Sequence, residues 1–484
     1  MLQRLPTKKV LSIQPSVIQP VNDARPSATA PVFVFGWTLG GFFDKAWYGH
    51  WQNTPSNYLL IASATLLLVF PGRSVPLLLY CAAQLFDYFC NPSVMANHLL
   101  LHTFGNLGIL LASGIHLSRN GSLPRDNQPI ITLVTPAIGW LLIWTYTLAT
   151  VHKLNYDFLA PDLSCACYLS FSKVNQPMPL WLVPQSAWAN YFSIYATLVI
   201  EGLIPILLAI PRYRGAGILS SLYFHSFLSS GPRNGFYAFG VMIFPMLALF
   251  SSEESMGRLR DWFLTVRNGF TPRRPLACVA ICLALAALAY LAVNSRRLGM
   301  SRTFPLWITY DLILCAFGLS EWMRGVRAIG HPSATLLRLG SPALRLHAAL
   351  FILNGLCPYL GLKTETSFAM YSNLRTEGNH TNHLFIPVGL QLFDCQKDLV
   401  EITACSVPKI QKLADERLLI PYLELRRRLA PHPDASVTYR RDGREYKVAR
   451  VADRRDLLPE MSLLMQRLMP FREVDMSERQ QCRH

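Results

Sequence analysis

The side chains best equipped for chemistry lie inside apolar sequence. Lys153 closes the run GWLLIWTYTLATVHK (139–153), and an ionisable group placed there is costly enough to imply a task. Thr150, Lys153 and Asp157 are spaced i, i+3, i+7, so they share a face if the helix continues. Partial desolvation would leave a fraction of neutral amine, able to act as a base. The competing expectation is that Lys153 snorkels to lipid headgroups or pairs with Asp157 as a strut. His98 and His102 face one way on NHLLLHTFGNLG (97–108), next to Asn97. Only leucines separate the two histidines, so the general-base Glu of a zinc-binding HExxH helix is missing. A metal site would need a third ligand such as His225 of SLYFHSFLSS (221–230), and no resident metal is expected. Proton handling in an apolar chamber, or plain burial in the core, suits these histidines better. Glu201, Asp87 and Asp311 are lone carboxylates in apolar runs. Each should face the interior of the helices, protonated or paired with a cation, and Glu201 can pair with Lys153 or with a histidine.

These residues need apolar helices to hold them, and the composition supplies little else. The chain has 484 residues, 51% hydrophobic and only 15% charged, too few charges to solvate several soluble cores. The expected fold is an all-α polytopic membrane helix bundle of about 8–10 helices, carrying a small mixed α/β extramembrane tail. Apolar runs long enough to cross, or nearly cross, a bilayer fall near 57–71, 75–90, 94–117, 129–151, 187–210, 216–229 with 235–251, 276–293, 304–320 and 346–362. Residues 1–30 form a polar N-terminal segment without the apolar stretch of a cleaved signal peptide. Residues 31–49, aromatic but interrupted by Gly40, Gly41, Asp44 and Lys45, read as an interfacial helix feeding the first span. The membrane domain is 31–362 and the tail 363–484.

The net charge of +16 is mostly arginine in the loops, which sets topology and meets anionic headgroups; nucleic acid is not an expected partner. Arg258, Arg260, Arg267, Arg273 and Arg274 precede the pair of runs at 276–293 and 304–320, and Arg324, Arg327, Arg338 and Arg345 follow it, against Arg296, Arg297 and Arg302 between. Loops 252–275 and 321–345 are therefore assigned to the cytoplasm, and one more crossing makes the tail extracytoplasmic. The eleven cysteines include no CxxC pair. Cys165 and Cys167 have poor spacing for a bridge or a zinc site, so most cysteines read as small core residues. In the tail, VTY (437–439) and YKV (446–448) flank Asp442-Gly443, a hairpin signal. The segment His383 to Ile402 has strand-like apolar stretches (LFIPVGLQLF), while 411–430 and 457–469 read as helical. Asn379-His380-Thr381 and Asn120-Gly121-Ser122 match the glycosylation sequon, a signal that is common by chance. No Walker loop, GxGxxG, GxSxG or CxxCH motif occurs, which removes support for ATP-driven transport, nicotinamide chemistry and haem attachment.

Four stretches carry a family resemblance. TYTLATVHKLNYDFLAPD (145–162) and SSLYFHSFLSSGPRNGFYAFGVMIFPMLALF (220–250) resemble the membrane portion of the vitamin K-dependent gamma-carboxylase and of bacterial proteins sharing its horizontally transferred transmembrane domain. ANHLLLHTFGNLG (96–108) resembles that family's Asn-Asn-His segment, and 354–387 its connector to the tail. The family's KLDADW reads here as Lys153-Leu154-Asn155-Tyr156-Asp157-Phe158. The resemblance implies oxygen-dependent chemistry on reduced vitamin K or a related quinol, of the carbon–carbon lyase class. It places the quinol-activating lysine on Lys153, the assisting histidine on His98 and the aromatic–histidine segment on Phe224-His225. Glu201, Asn97 and Asp157 are then expected around the cofactor. A tail of this length leaves no room for the large lumenal region with which the animal enzyme recognises its protein substrates.

The implied partners are a membrane lipid or quinone and, by the same resemblance, a protein substrate, in a bacterial inner membrane or a eukaryotic endomembrane. Two other functions fit the residues: a non-enzymatic lipid or quinone binder or transporter that uses Lys153 and Asp157 as a gating pair, and an assembly partner acting through its tail.

Overall fold

The computed structural model describes residues 27–48, 54–90, 96–172, 176–177, 180, 182–231, 236–269, 304–458 and 462–483. The run at 276–293, with Arg273, Arg274, Arg296, Arg297 and Arg302, lies outside the described residues. The helical body begins with α1 (Thr29–Tyr48), α2 (Pro55–Val69), α3 (Ser74–Cys90), α4 (Asn97–Asn120) and α5 (Gln128–His152). Two short helices follow, α6 (Tyr156–Leu159) and α7 (Cys165–Phe171), then α8 (Ala187–Ala209), α9 (Arg214–Ser229), α10 (Tyr237–Ala248) and α11 (Glu253–Gly269). It ends with α12 (Phe304–Arg324), α13 (Val326–Ile329) and α14 (Pro342–Leu360). Among the described residues, α4, α5, α8 and α14 are long and apolar enough to cross a membrane by length and composition, and α2, α3 and α10 are shorter apolar helices.

Local chemistry sets the ends of these helices. Thr54 caps α2 by accepting from the Asn57 N–H, with Pro55 in the first turn. Ser186 does the same for α8 through Ala189. α4 and α14 stop at Gly121 and Gly361, both left-handed. α8 and α9 form a tight antiparallel pair: a Cβ on Gly217 would lie 2.9 Å from the Leu208 backbone nitrogen. Buried Arg214 closes the turn between them, donating to the carbonyls of Leu208, His331 and Ser333. α5 packs against α4, α8 and α14, which makes it the centre of the body.

The interfacial placement expected for 31–49 is corrected. α1 packs along α10, and Phe33, Val34 and Trp37 are fully buried. The Trp37 indole N–H finds its partner inside, donating to Asn106 Oδ1 at 2.8 Å. The segments after α10 and after α12 meet at the end of the body away from the tail: Ser252 N donates to Ile329 O, His331 N donates to Phe250 O, and Arg258 pairs with Glu321.

The tail carries one antiparallel sheet in the order β4-β3-β1-β2-β5, with β1 (Leu399–Cys405), β2 (Leu418–Pro421), β3 (Val437–Arg441), β4 (Arg444–Val448) and β5 (Val474–Asp475). Its helices are α15 (Pro408–Asp415), α16 (Tyr422–Leu429) and α17 (Leu463–Leu468). The hairpin read from Asp442-Gly443 is present: both residues have positive φ, and Arg441 pairs with Arg444 across the turn. Two local expectations are corrected. A strand, β2, interrupts the helix expected over 411–430, because Arg417 turns left-handed and Leu418–Pro421 pairs with both β1 and β5. Of His383 to Ile402 only the end is strand, where β1 begins at Leu399; LFIPVGLQLF holds a 3-10 turn at Val388–Leu390, since a strand needs a pairing partner and Pro387 cannot donate to one.

Candidate functional site

Lys153 sits where α5 stops. Its backbone N–H donates to Thr150 O, and Asn155 ends the helix by capping the next one: Asn155 Oδ1 accepts from Phe158 N at 2.8 Å, while Nδ2 donates to His152 O and Ser372 O. The lysine side chain folds back along α5, with Nζ 3.3 Å from Ala149 O and 2.7 Å from Glu201 Oε2 on α8. The two residues are only 4% and 9% exposed, so Lys153 neither snorkels nor pairs with Asp157. A buried ion pair of this kind costs several kcal/mol in desolvation, of order that per ion, and its two charges depend on each other.

A second row of polar groups lies against the first. Tyr146, seven residues before Lys153 on α5, has its hydroxyl 2.6 Å from Ser221 Oγ and 2.6 Å from His225 Nε2, both on α9. Tyr146 is within electrostatic reach of Glu201, and His225 within reach of Lys153. A hydroxyl has one proton to give, so Tyr146 either accepts from Ser221 and donates to Nε2 of His225, or accepts from an Nε2–H and donates to Ser221, the two arrangements differing in the tautomer of His225. The rings of Tyr146, Phe224 and Phe239 surround the imidazole, with centroids 5.4 to 5.7 Å away. Tyr146 and Ser221 were not singled out in the sequence, although the face 146, 149, 150, 153 and the i, i+4 spacing of Ser221 and His225 point to them.

The other expected residues make contacts of their own. Asp157 Oδ2 accepts from Asn382 Nδ2 at 2.7 Å and from the Gln480 backbone at 2.9 Å, so it ties the tail to the turn after α5. The shared face expected for Thr150, Lys153 and Asp157 does not form, because Asn155 restarts the chain as α6. Asn97 Oδ1 accepts from Phe368 N at 2.7 Å and fastens the start of α4 to the connector. His98 is buried next to it, in the first turn of α4. His102 lies 3.3 Å from the Tyr80 hydroxyl, with the Trp37 ring edge-on. Asp87 accepts from Ser56 and Asp311 from Ser226, each a pairing between helices. Among the described residues no three His, Cys, Asp or Glu side chains converge as metal ligands.

The connector presses on the Lys153 end of α5. The adjacent His152 is fully buried, with Nε2 3.0 Å from Ser367 O and Nδ1 2.7 Å from the Tyr359 hydroxyl. A carbonyl only accepts, so Nε2 carries the hydrogen and Tyr359 donates to Nδ1. Thr366, Phe368, Tyr371 and Asn373 of this segment all have positive φ, a conformation that costs energy and must be held by its surroundings. The reading of the cysteines as core residues is corrected for Cys165, which forms a disulfide with Cys482 across 317 residues. Sequence spacing drew attention to Cys167, but the chain terminus supplies the partner. A cleft of about 670 Å³ beside the bridge is lined by Asp162, Ser164, Cys167, Tyr168, Asn190 and Cys482, among others; Lys153, Glu201, Tyr146 and His225 are not in its lining.

In comparisons with known proteins, no family model, no curated protein and no solved structure matches the chain.

Proposed function

We propose that the chain is a multi-pass membrane protein that handles protons for a lipid-soluble substrate, with Lys153 and Glu201 as the acid–base pair and Tyr146 and His225 as its relay. The observation that carries this reading is the 2.7 Å contact between Nζ and Oε2, buried between two of the helices apolar enough to cross a membrane. Ionisable groups at such depth mark functional pathways. The resemblance to the gamma-carboxylase family names the substrate class: reduced vitamin K or a related quinol, whose phenolic hydroxyl must lose a proton before it reacts with oxygen. The donor set suits that group, since an amine–carboxylate pair can take a phenolic proton and a tyrosine–histidine row can carry it away. Apolar helices around the pair exclude water, which strengthens each of these interactions. The quinol supplies the redox chemistry when bound; the chain supplies proton transfer, orientation and dryness.

The disulfide supports an extracytoplasmic tail, because such bonds persist in oxidising compartments. It agrees with the assignment of the 252–275 and 321–345 loops to the cytoplasm, at the opposite end of the body.

The test is oxygen consumption with a reduced naphthoquinol by the full chain in lipid nanodiscs. The parent should turn over, Lys153→Ala and Glu201→Gln should abolish turnover, and Tyr146→Phe should slow it about 10²-fold, the scale of a lost proton-transfer group. A parent that binds the quinol without consuming oxygen would replace catalysis with the binder reading.

A further inference from the structure

The segment 384–393, LFIPVGLQLF, leaves the helical body with Ile386 packed inward against Tyr359, Ala369 and Leu374 and most of its larger apolar side chains exposed. Phe385 is 74% exposed and Leu392 76%, and Leu390 and Phe393 are also exposed. No residue of the ten is charged, and the single polar side chain is turned inward: Gln391 Nε2 donates to Thr376 O at 2.6 Å. A loop in water normally shows the opposite arrangement, so an apolar face of this kind needs an occupant.

The tethers of the segment fix its level. At its start, His383 Nε2 donates to Val151 O and Leu384 N donates to Leu154 O, at the end of α5 beside Lys153. At its finish, Phe393 N donates to Leu360 O, the last residue of α14. Both anchors are the tail-side ends of helices apolar enough to span a bilayer. The outward residues of α14, Leu346, Leu350 and Leu353, are exposed at i, i+4, i+7, an apolar stripe that leads up to the segment. At the same end of the body, α8 begins with exposed Trp188, Tyr191, Phe192 and Tyr195, placed there by the Cys167 Sγ contact to Asn190 O. Aromatic residues concentrate where helices leave the hydrocarbon. Polar sequence resumes at once after the segment, with the exposed Asp394 paired to Lys397 at 2.7 Å.

We propose that residues 384–393 form an interfacial wedge that lies among the lipid headgroups and upper acyl chains of the tail-side leaflet, next to the Lys153 turn. The occupant of the exposed face is lipid, because the face continues the outward stripe of α14 and carries no charge. A short apolar segment of this kind is held in the interface by its buried area and needs no span of its own. The inference rests on the membrane reading given above and adds a contact that a simple division into spans and soluble tail omits.

The experiment uses the full chain in phosphatidylcholine nanodiscs doped with a photoactivatable phosphatidylcholine. One preparation carries the diazirine near the headgroup and another at the acyl terminus, and the adducts are mapped by peptide mass spectrometry. The headgroup-proximal probe should label 384–393 as well as the first turns of α8, and the acyl-terminal probe should leave 384–393 unlabelled. Phe385→Asp with Leu392→Asp should cut labelling of the segment at least about fivefold, since charge opposes interfacial burial. Labelled α8 and α14 with an unlabelled 384–393 would overturn the wedge and leave the membrane reading standing. Absence of label on α8 and α14 would overturn both. Protection of the segment that grows with protein-to-lipid ratio would assign the face to a second copy of the chain and overturn lipid as its occupant.

Discussion

In the helical body, Ile206, Leu312 and Leu346 face outward while Lys153, Glu201 and Asp311 face inward; in the tail, Val400, Ile420 and Leu425 are inside and Arg444, Lys447 and Arg450 outside. The two regions differ in what surrounds them. An apolar outer face offers no partner to a polar group, so the ionisable side chains Lys153, Glu201 and Asp311, set into apolar helices, turn inward and meet a group on another helix: Lys153 meets Glu201 and Asp311 meets Ser226, as Tyr146 meets His225. In the tail water can satisfy a charge, and one of the buried ones, Glu424, is surrounded by Arg427, Arg428 and the Phe471 N–H. Lys153 and Glu201 in the body rest on a single pair, whereas Glu424 in the tail sits in a network with several donors.

The strongest way to break this contrast is to remove one member of a single pair. Lys153→Met or Glu201→Leu alone leaves an uncompensated buried charge and should cost about 3–5 kcal/mol. The double substitution should recover most of that loss while quinol turnover stays absent. Thermal melts in nanodiscs check this, and a double variant no better than the worse single one would remove the pair from the account.

Glu424 tests the network. Burial alone would raise its carboxyl, but the hydrogen bonds and charges of Arg427 and Arg428 outweigh burial and hold it below its ordinary value of 4.5. A depressed folded value adds stability that is present above the unfolded value and lost as pH falls through the folded one. Tail stability, read by hydrogen exchange in 399–458, should therefore fall on acidification below about pH 4.5. Glu424→Gln should cost about 2–4 kcal/mol at neutral pH and flatten that acid dependence.

Lys363 gives the smallest expected effect. It is buried in the connector, donates to Thr366 Oγ1 at 3.1 Å, and burial pulls its amine down from 10.5 to about 8. Between those values the unfolded chain holds the extra proton, so stability should rise with pH across the window, and below pH 8 the charged amine is a cost. Lys363→Met should raise stability at pH 7 by on the order of 1–3 kcal/mol and remove the slope. A melt series from pH 7 to 10 that shows the same slope in parent and variant would count against this assignment.

Much of the fold was legible locally. The apolar runs at 57–71, 75–90, 129–151 and 187–210 match helices to within a few residues, because hydrophobic length and flanking caps are properties of neighbouring residues. The hairpin at Asp442-Gly443 was equally local. The strand β2 was not legible, since Leu418–Pro421 becomes a strand only beside β1 and β5. At the candidate site the sequence drew attention to Lys153, Glu201 and His225. Asp157 and Asn97 turned out to hold the tail and the connector, and Tyr146 passed unnoticed among aromatic residues.

The sequence by itself determined which residues carry the cost of burial, because a lysine or a carboxylate inside twenty apolar neighbours is expensive wherever it points. Only the tertiary structure decided how that cost is met. Partner choice depends on which helices touch and at what rotation: α8 brings Glu201 to Lys153, α9 brings His225 to Tyr146, and the chain terminus brings Cys482 to Cys165. Those partners are separated by 48 to 317 residues, and no local pattern encodes a contact across such a span.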